Sequence, residues 1–184
     1  GNNVWYTKSA WKSRLLWKEL EKRLSTKLMD ECGVAWFAHD EAGWASASQL
    51  TLEKESIPVE RLDPSDGDKL YPSFGYHDLS FILFEPNAGV LRSNKAITFL
   101  RNEFVNSGGA LLRGKVERVG NKVLFQDKTI GGDAVIWACG PWISNLFDLA
   151  TKIMVTVQEV AFFYSGSEWD SPNVPAYADV EKTN

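Results

Sequence analysis

The sequence predicts a mixed chain, α/β with an α+β portion, on three observations. Over residues 8–29, Trp11, Leu15, Leu20, Leu24 and Leu28 recur at steps of four or five, Leu16 and Trp17 widen the stripe, and Lys18, Glu19, Glu21, Lys22 and Arg23 lie elsewhere. That is the spacing of a long amphipathic helix. Two apolar runs, 34–38 and 133–138, have the composition of buried strands, the second so continuous that it reads as a strand covered on both faces. A third helical pattern leads directly into a strand–turn–strand pattern, so helix and antiparallel hairpin follow one another.

Taken in order, Cys32-Gly33 is expected to end the first helix and 34–38 to form a strand. Residues 44–55 form a second helix and 57–62 a short strand, and Asp63-Pro64-Ser65 starts a short helix with proline in its first turn, closed by Tyr71-Pro72. The run 81–91 is a strand interrupted by a Pro86-Asn87-Ala88-Gly89 turn. Ser93 suits an N-cap for a helix whose apolar face is Ile97, Leu100, Phe104 and Val105, stopped by Gly108-Gly109. Residues 110–113 and 116–119 read as strand, Gly120-Asn121 as a two-residue turn and 122–126 as the return strand. After the strand at 133–138, Pro141 opens a helix through Leu149. Residues 152–164 alternate as a long strand, and the polar, proline-containing end, 165–184, reads as loop.

Composition removes several function classes. The chain has 184 residues, 44% hydrophobic and 24% charged, enough for one substantial core. A formal charge of −4 leaves no basic field for a nucleic-acid backbone or an anionic membrane surface. No apolar run approaches the roughly 20 residues that span a bilayer, and the first residues lack the pattern of a signal peptide. The chain is therefore read as soluble and cytoplasmic, with Cys32 and Cys139 as free thiols. Two cysteines and two histidines, His39 and His77, in no ligand spacing and beside no nucleophile elbow, argue against a metal site or a hydrolase triad.

The strongest local motif is Ala138-Cys139-Gly140-Pro141-Trp142, a small residue and a glycine between strand and helix. Glycine there lets backbone approach a phosphate or cofactor. Such a turn also needs small residues when nothing binds, so by itself it reads first as structure. No G-x-G-x-x-G is present, and a dinucleotide site here lacks its main phosphate loop. Glu85 and Asp78 are the carboxylates available for acid–base work, though loop acids are ordinarily solvated. Cys139 reads more readily as a small buried hydrophobe than as a reactive thiol.

In this order the motifs resemble the FAD-dependent amine oxidases of the D-amino-acid oxidase superfamily, most closely the monomeric sarcosine oxidase and N-methyltryptophan oxidase group. The resemblance rests on Leu16-Trp17-Lys18-Glu19-Leu20-Glu21, on Gly33-Val34-Ala35-Trp36-Phe37, and most specifically on Phe84-Glu85-Pro86-Asn87-Ala88-Gly89-Val90-Leu91. Gly114-Lys115-Val116 and Ala138-Cys139-Gly140-Pro141-Trp142 complete it.

The resemblance implies part of a Rossmann-like FAD domain joined to part of a mixed-sheet substrate domain, a middle portion of a longer enzyme. It places 1–32 as the helix leading from the FAD-binding start, 33–84 and 151–184 in the substrate domain, and 85–150 in the FAD domain. Cofactor-binding positions carried over are Val116 near the adenine and Cys139, Gly140 and Trp142 on the phosphate–ribose side. The family usually has alanine or methionine at the position of Cys139 and alanine at that of Pro141. No catalytic residue and no metal ligand is carried over. The implied cofactor is FAD, the implied partner a small-molecule amine or amino acid, oxidised at its C–N bond with oxygen as acceptor and hydrogen peroxide as product. The 184-residue chain alone is expected to be inactive and not to retain FAD. The alternatives are a non-catalytic binding module that has lost the cofactor loop, and another flavin oxidase or dehydrogenase of the superfamily.

Overall fold

The computed structural model describes residues 1–71, 74–147, 149, 152–171 and 173–179. The chain divides into two compact units, residues 1–102 with 164–184, and residues 103–163. It has mixed helices and open sheets.

Helix α1 (Val4–Leu24) opens the first unit. The Asn3 side chain accepts the Tyr6 N–H at its start, and Lys22 and Arg23 lie in its last turn, where cations complement the helix dipole. It stops earlier than the apolar stripe predicts. Ser25 turns left-handed, and the Glu21 carboxylate accepts the backbone N–H groups of Leu28 and Met29 at 2.6 and 2.8 Å. One acidic side chain thus peels residues 26–29 away from the helix, and fully buried Leu28 leaves the stripe to pack elsewhere.

Strand β1 (Met29–Asp30) follows, then β2 (Val34–Ala38), helix α2 (Trp44–Lys54) and β3 (Glu60–Leu62), the last shorter than predicted because 57–59 make no ladder. Asp63 caps a 3₁₀ turn, Pro64–Lys69, with proline at its start as the sequence predicts. Pro72, expected to close it, lies outside the described residues. Strands β4 (Phe81–Glu85) and β5 (Val90–Leu91) flank the predicted turn, and α3 (Ser93–Asn106) begins with Ser93 as its first helical residue.

The main sheet has the order β3–β4–β2–β9, where β9 (Ala176–Asp179) pairs parallel with β2 and the other pairs are antiparallel. Strand β9 corrects the reading of 165–184 as loop: Ala-Tyr-Ala-Asp carries little strand propensity, and β2 recruits it by a long-range ladder. The central strands alternate. Ala35, Phe37 and Ile82 face a cluster containing Tyr71 and Tyr76, and Phe81 and Leu83 face Ala45 of α2. Phe37 stacks on Tyr177 of β9 with ring centroids 5.3 Å apart. The Tyr71 hydroxyl donates to the Ala176 carbonyl at 3.0 Å, and burial pushes its phenol well above the ordinary range.

His39 closes the free end of the β2–β9 ladder. Its Nε2 lies 2.8 Å from the Asp179 carboxylate and its Nδ1 3.0 Å from the Asp78 carbonyl, with the Asp78 carboxylate 3.6 Å away. With an acceptor at each ring nitrogen the imidazolium is favoured, and the hydrogen bond to Asp179 leads in raising the pKa above its ordinary 6.5. A raised folded-state pKa contributes stability that is complete below the unfolded value and is lost as pH rises through the folded one. Protection of the β9 amides, taken relative to their intrinsic base-catalysed exchange, is therefore expected to fall as pH rises above 6.5 through the raised pKa of His39. His39→Gln should remove that fall, and an equal loss of protection in the variant would disprove the clamp.

Strands β1 and β5 form a separate two-stranded ladder, Met29 opposite Leu91 and Asp30 opposite Val90. Arg92 donates to both Asp30 carboxylate oxygens, at 2.7 and 3.2 Å, and Lys27 approaches to 2.8 Å. The Arg92 hydrogen bond, then that of Lys27, lowers the Asp30 carboxyl from 3.8 to about 2. A lowered pKa contributes stability that is present above the unfolded value and is lost as pH falls through the folded one. Asp30→Asn is expected to cost about 1–2 kcal/mol at neutral pH, the half-exposed Arg92 keeping the figure low. Denaturation between pH 4 and pH 2 should lose the corresponding slope; an unchanged acid limb would refute the assignment.

In the second unit, β6 (Val116–Val119), β7 (Lys122–Phe125) and β8 (Lys128–Ile130) form an antiparallel meander. Gly120-Asn121 joins the first pair as predicted, with Gly120 at φ +59°, the position a two-residue turn of this kind reserves for glycine. The second turn, Gln126-Asp127, is left-handed at both residues and has no recognisable signature, so β8 was not predicted. A 3₁₀ turn, Gly140–Trp142, runs into helix α4 (Ile143–Phe147), shorter than the predicted helix. Both cysteines are free thiols, and no helix among the described residues is long and apolar enough to cross a membrane.

Three predicted strands are absent for one reason. Residues 110–113, 133–138 and 152–164 are not strands, and the α3 stripe of Ile97, Leu100, Phe104 and Val105 is exposed. Ile136 is 89% and Val157 92% exposed. Apolar composition and alternation say which side chains share a face; a strand also needs a neighbouring strand for its N–H and C=O groups. Among the described residues none pairs with these segments.

Candidate functional site

Val116 and the distant Cys139, Gly140 and Trp142 of a single turn line one cavity of about 680 Å³ in the second unit. Lys115 and Asn145 line it too. Sequence reasoning quoted Lys115 only as part of a motif and missed Asn145, which carries no local signal and enters because α4 folds back beside β6.

Each wall has a local cause. Val116 begins β6 opposite Phe125. Gly114 precedes it at φ +158°, where a Cβ would press on the Phe125 ring, so the segment passes that ring only as glycine. Across the cavity Gly140 adopts φ +53°, and a Cβ built there meets nothing within 4 Å. The Trp142 N–H closes the turn on the Cys139 carbonyl at 3.2 Å, leaving the indole 69% exposed on the cavity wall. The turn is tied to the meander by Arg118, whose Nε donates to the Leu146 carbonyl at 3.1 Å and whose guanidinium lies 4.6 Å from the Phe147 ring centre. Trp137 meets the same ring edge-on at 5.5 Å, so it braces the turn from outside the lining.

The lining holds one ammonium, one thiol, one amide and one indole, with no carboxylate and no imidazole. That inventory suits holding a flat aromatic group against exposed backbone, and it lacks an acid–base pair. The carboxylates singled out in the sequence stand apart: Asp78 lies beside His39, and Glu85 accepts the Trp36 indole N–H at 2.8 Å. Among the described residues no three His, Cys, Asp or Glu side chains are grouped to hold a metal ion. Gly140 leaves open the volume a Cβ would fill, beside an exposed indole, a cradle of the kind a flat cofactor group needs.

Comparison with known proteins agrees in fold. The chain is 24% identical over 185 aligned residues to an N-methyl-L-tryptophan oxidase of Yersinia pestis (strain Pestoides F), covering 96% of this chain and 49% of that protein. The chain thus spans about half the length of the curated relatives it matches. Among solved structures it superposes on the iminodiacetate oxidase of Chelativorans sp. BNC1 with a TM-score of 0.63 at 21% identity, covering 78% of this chain and 42% of that one. It superposes on the L-proline dehydrogenase of P. horikoshii with a TM-score of 0.67 at 14% identity, covering 92% of this chain and 48% of that one. The profile of the family described as FAD dependent oxidoreductase (DAO) matches residues 3–179. Since that match takes in nearly all of α1 through β9, the chain belongs to the DAO family of FAD-dependent oxidoreductases.

Proposed function

We propose that this chain is part of an FAD-dependent enzyme that oxidises the C–N bond of a small secondary or primary amine or amino acid, with oxygen as acceptor and hydrogen peroxide as product. The observation that carries the reading is the single cavity lined by Val116, Cys139, Gly140 and Trp142 in a chain of this family. Bound there, FAD supplies the two-electron sink for the amine carbon, which oxygen then regenerates. The chain's own part is to hold and orient. Val116 is the residue that would lie beside the adenine, Gly140 would admit the ribose side without a Cβ in the way, Trp142 would offer its indole face, and Cys139 carries the carbonyl that shapes the turn. Lys115 is the one cation of the lining and places positive charge where an anionic cofactor enters.

The test compares two proteins. The 184-residue chain, incubated with FAD and passed through gel filtration, is expected to emerge without flavin, since it has no G-x-G-x-x-G loop to grip the pyrophosphate. The same residues within a protein that includes such a loop should be yellow and release hydrogen peroxide with N-methylated or other small amino acids. A colourless longer protein overturns the cofactor reading. One that is yellow but reduced by no amine keeps the family and loses the amine, and one reduced by amines without forming peroxide in air loses oxygen as acceptor.

A further inference from the structure

The first unit holds a second cavity, of about 260 Å³, where α1, the end of α2 and the Pro86–Gly89 turn meet. Its lining shares no residue with the cavity around Gly140. Trp11, Met29, Leu52 and Ile57 make its walls apolar, and two charged side chains, Arg14 and Glu85, enter them.

Both charges are fixed in place. The Arg14 guanidinium, only 19% exposed, donates from Nε to the Asn87 carbonyl at 2.6 Å and from Nη2 to the Glu31 carboxylate, and it lies 4.9 Å from the Trp11 ring centre. Among the described residues its Nη1 makes no hydrogen bond. Glu31 is shared with Lys18, so two cations flank one anion and the cluster keeps a net positive charge. On the other side Glu85 uses Oε1 to accept the Trp36 indole N–H, while Oε2 makes no hydrogen bond among the described residues. Asn87 and Glu85 belong to one tight turn, closed by the Ala88 N–H on the Glu85 carbonyl at 3.1 Å, which keeps the two charged groups in register.

A preset guanidinium donor and a preset carboxylate acceptor lining one apolar-walled cavity match one ligand chemistry. A free amino acid carries a carboxylate for the first and an ammonium for the second on a single carbon, and a short apolar side chain fills the rest. A free amino acid of the size of L-valine fits within a volume of about 260 Å³. We propose that this cavity is a binding site for a small apolar amino acid, held as its zwitterion between Arg14 and Glu85. The site is argued from its own lining and does not rest on the flavin reading.

The test titrates the ¹⁵N-labelled 184-residue chain, with no FAD present, against L-valine and its two single-charge halves, isobutylamine and 3-methylbutanoate. L-valine is expected to give saturable shifts at the Trp11 indole and the Ala88 and Gly89 amides, each half binding roughly tenfold or more weakly. Arg14→Gln should weaken L-valine and 3-methylbutanoate but not isobutylamine, and Glu85→Gln should do the reverse. Because Arg14→Gln also breaks the pair with Glu31, Ala10→Phe provides a second variant that keeps both charges and blocks the lining from the exposed face of α1. Unsaturable or scattered shifts, equal affinity for L-valine and its halves, or undiminished binding by Ala10→Phe would each overturn the proposal. A failure of the flavin test leaves these outcomes untouched.

Discussion

Gly89→Ala is expected to destabilise the first unit by about 3 kcal/mol or more. A Cβ at Gly89 would fall inside van der Waals contact of the Asp30 carbonyl oxygen, 2.8 Å from its carbon and 2.9 Å from the Glu31 Cα. All three are backbone atoms, so no rotamer change relieves the overlap and β1 must move away from β5. That movement opens the Asp30–Val90 ladder, pulls Asp30 from Arg92 and shifts Glu31 relative to Arg14. Gly75→Ala is the control: a Cβ there meets nothing within 4 Å and its φ is not left-handed. It should stay within about 0.5 kcal/mol of the unmodified chain. Urea denaturation of both variants decides the matter, and a Gly89→Ala midpoint close to that of Gly75→Ala would show that the two strands are not locked together.

Gly140→Val is expected to give the largest loss of function, measured as flavin content in a protein that includes the G-x-G-x-x-G loop. At φ +53° a β-branched residue is strained by roughly 1–3 kcal/mol, and its methyl groups project into the open volume of the cavity. Since about 1.4 kcal/mol is a tenfold change in binding, retained flavin should fall roughly fivefold to a hundredfold. Trp137→Phe keeps an aromatic edge against Phe147 and lies outside the lining, so it should change stability modestly and flavin content little. The opposite pattern, full flavin with Gly140→Val and depleted flavin with Trp137→Phe, would make the glycine turn structural only and remove the cofactor assignments.

Within the site, Cys139, Gly140 and Trp142 were legible as one local motif because a small residue, a glycine and an aromatic in succession imply a sharp turn with exposed backbone. Val116 was placed beside them by family resemblance, and Asn145 was not foreseen. Nothing in the order of residues announces that Arg118 reaches the Leu146 carbonyl and so draws α4 and β6 to one cavity. The pairing of Arg14 with Glu31 and Asn87 was equally silent, since it joins α1 to two later turns.

The sequence by itself determined the features whose physics is local. Strand β2 and helix α2 stand where their composition puts them, Gly120-Asn121 turns the hairpin because glycine accepts a positive φ, and Asp63-Pro64 starts a helical turn. Only the tertiary structure decided the rest. Glu21 ended α1 by capturing the N–H groups of Leu28 and Met29, β2 recruited β9 from a stretch with weak strand propensity, and the apolar runs at 133–138 and 152–164 formed no ladder. Propensity and turn chemistry act within a few residues, whereas a strand, a buried face or a cavity exists only when groups far apart in the chain satisfy one another's hydrogen bonds and exclude water together.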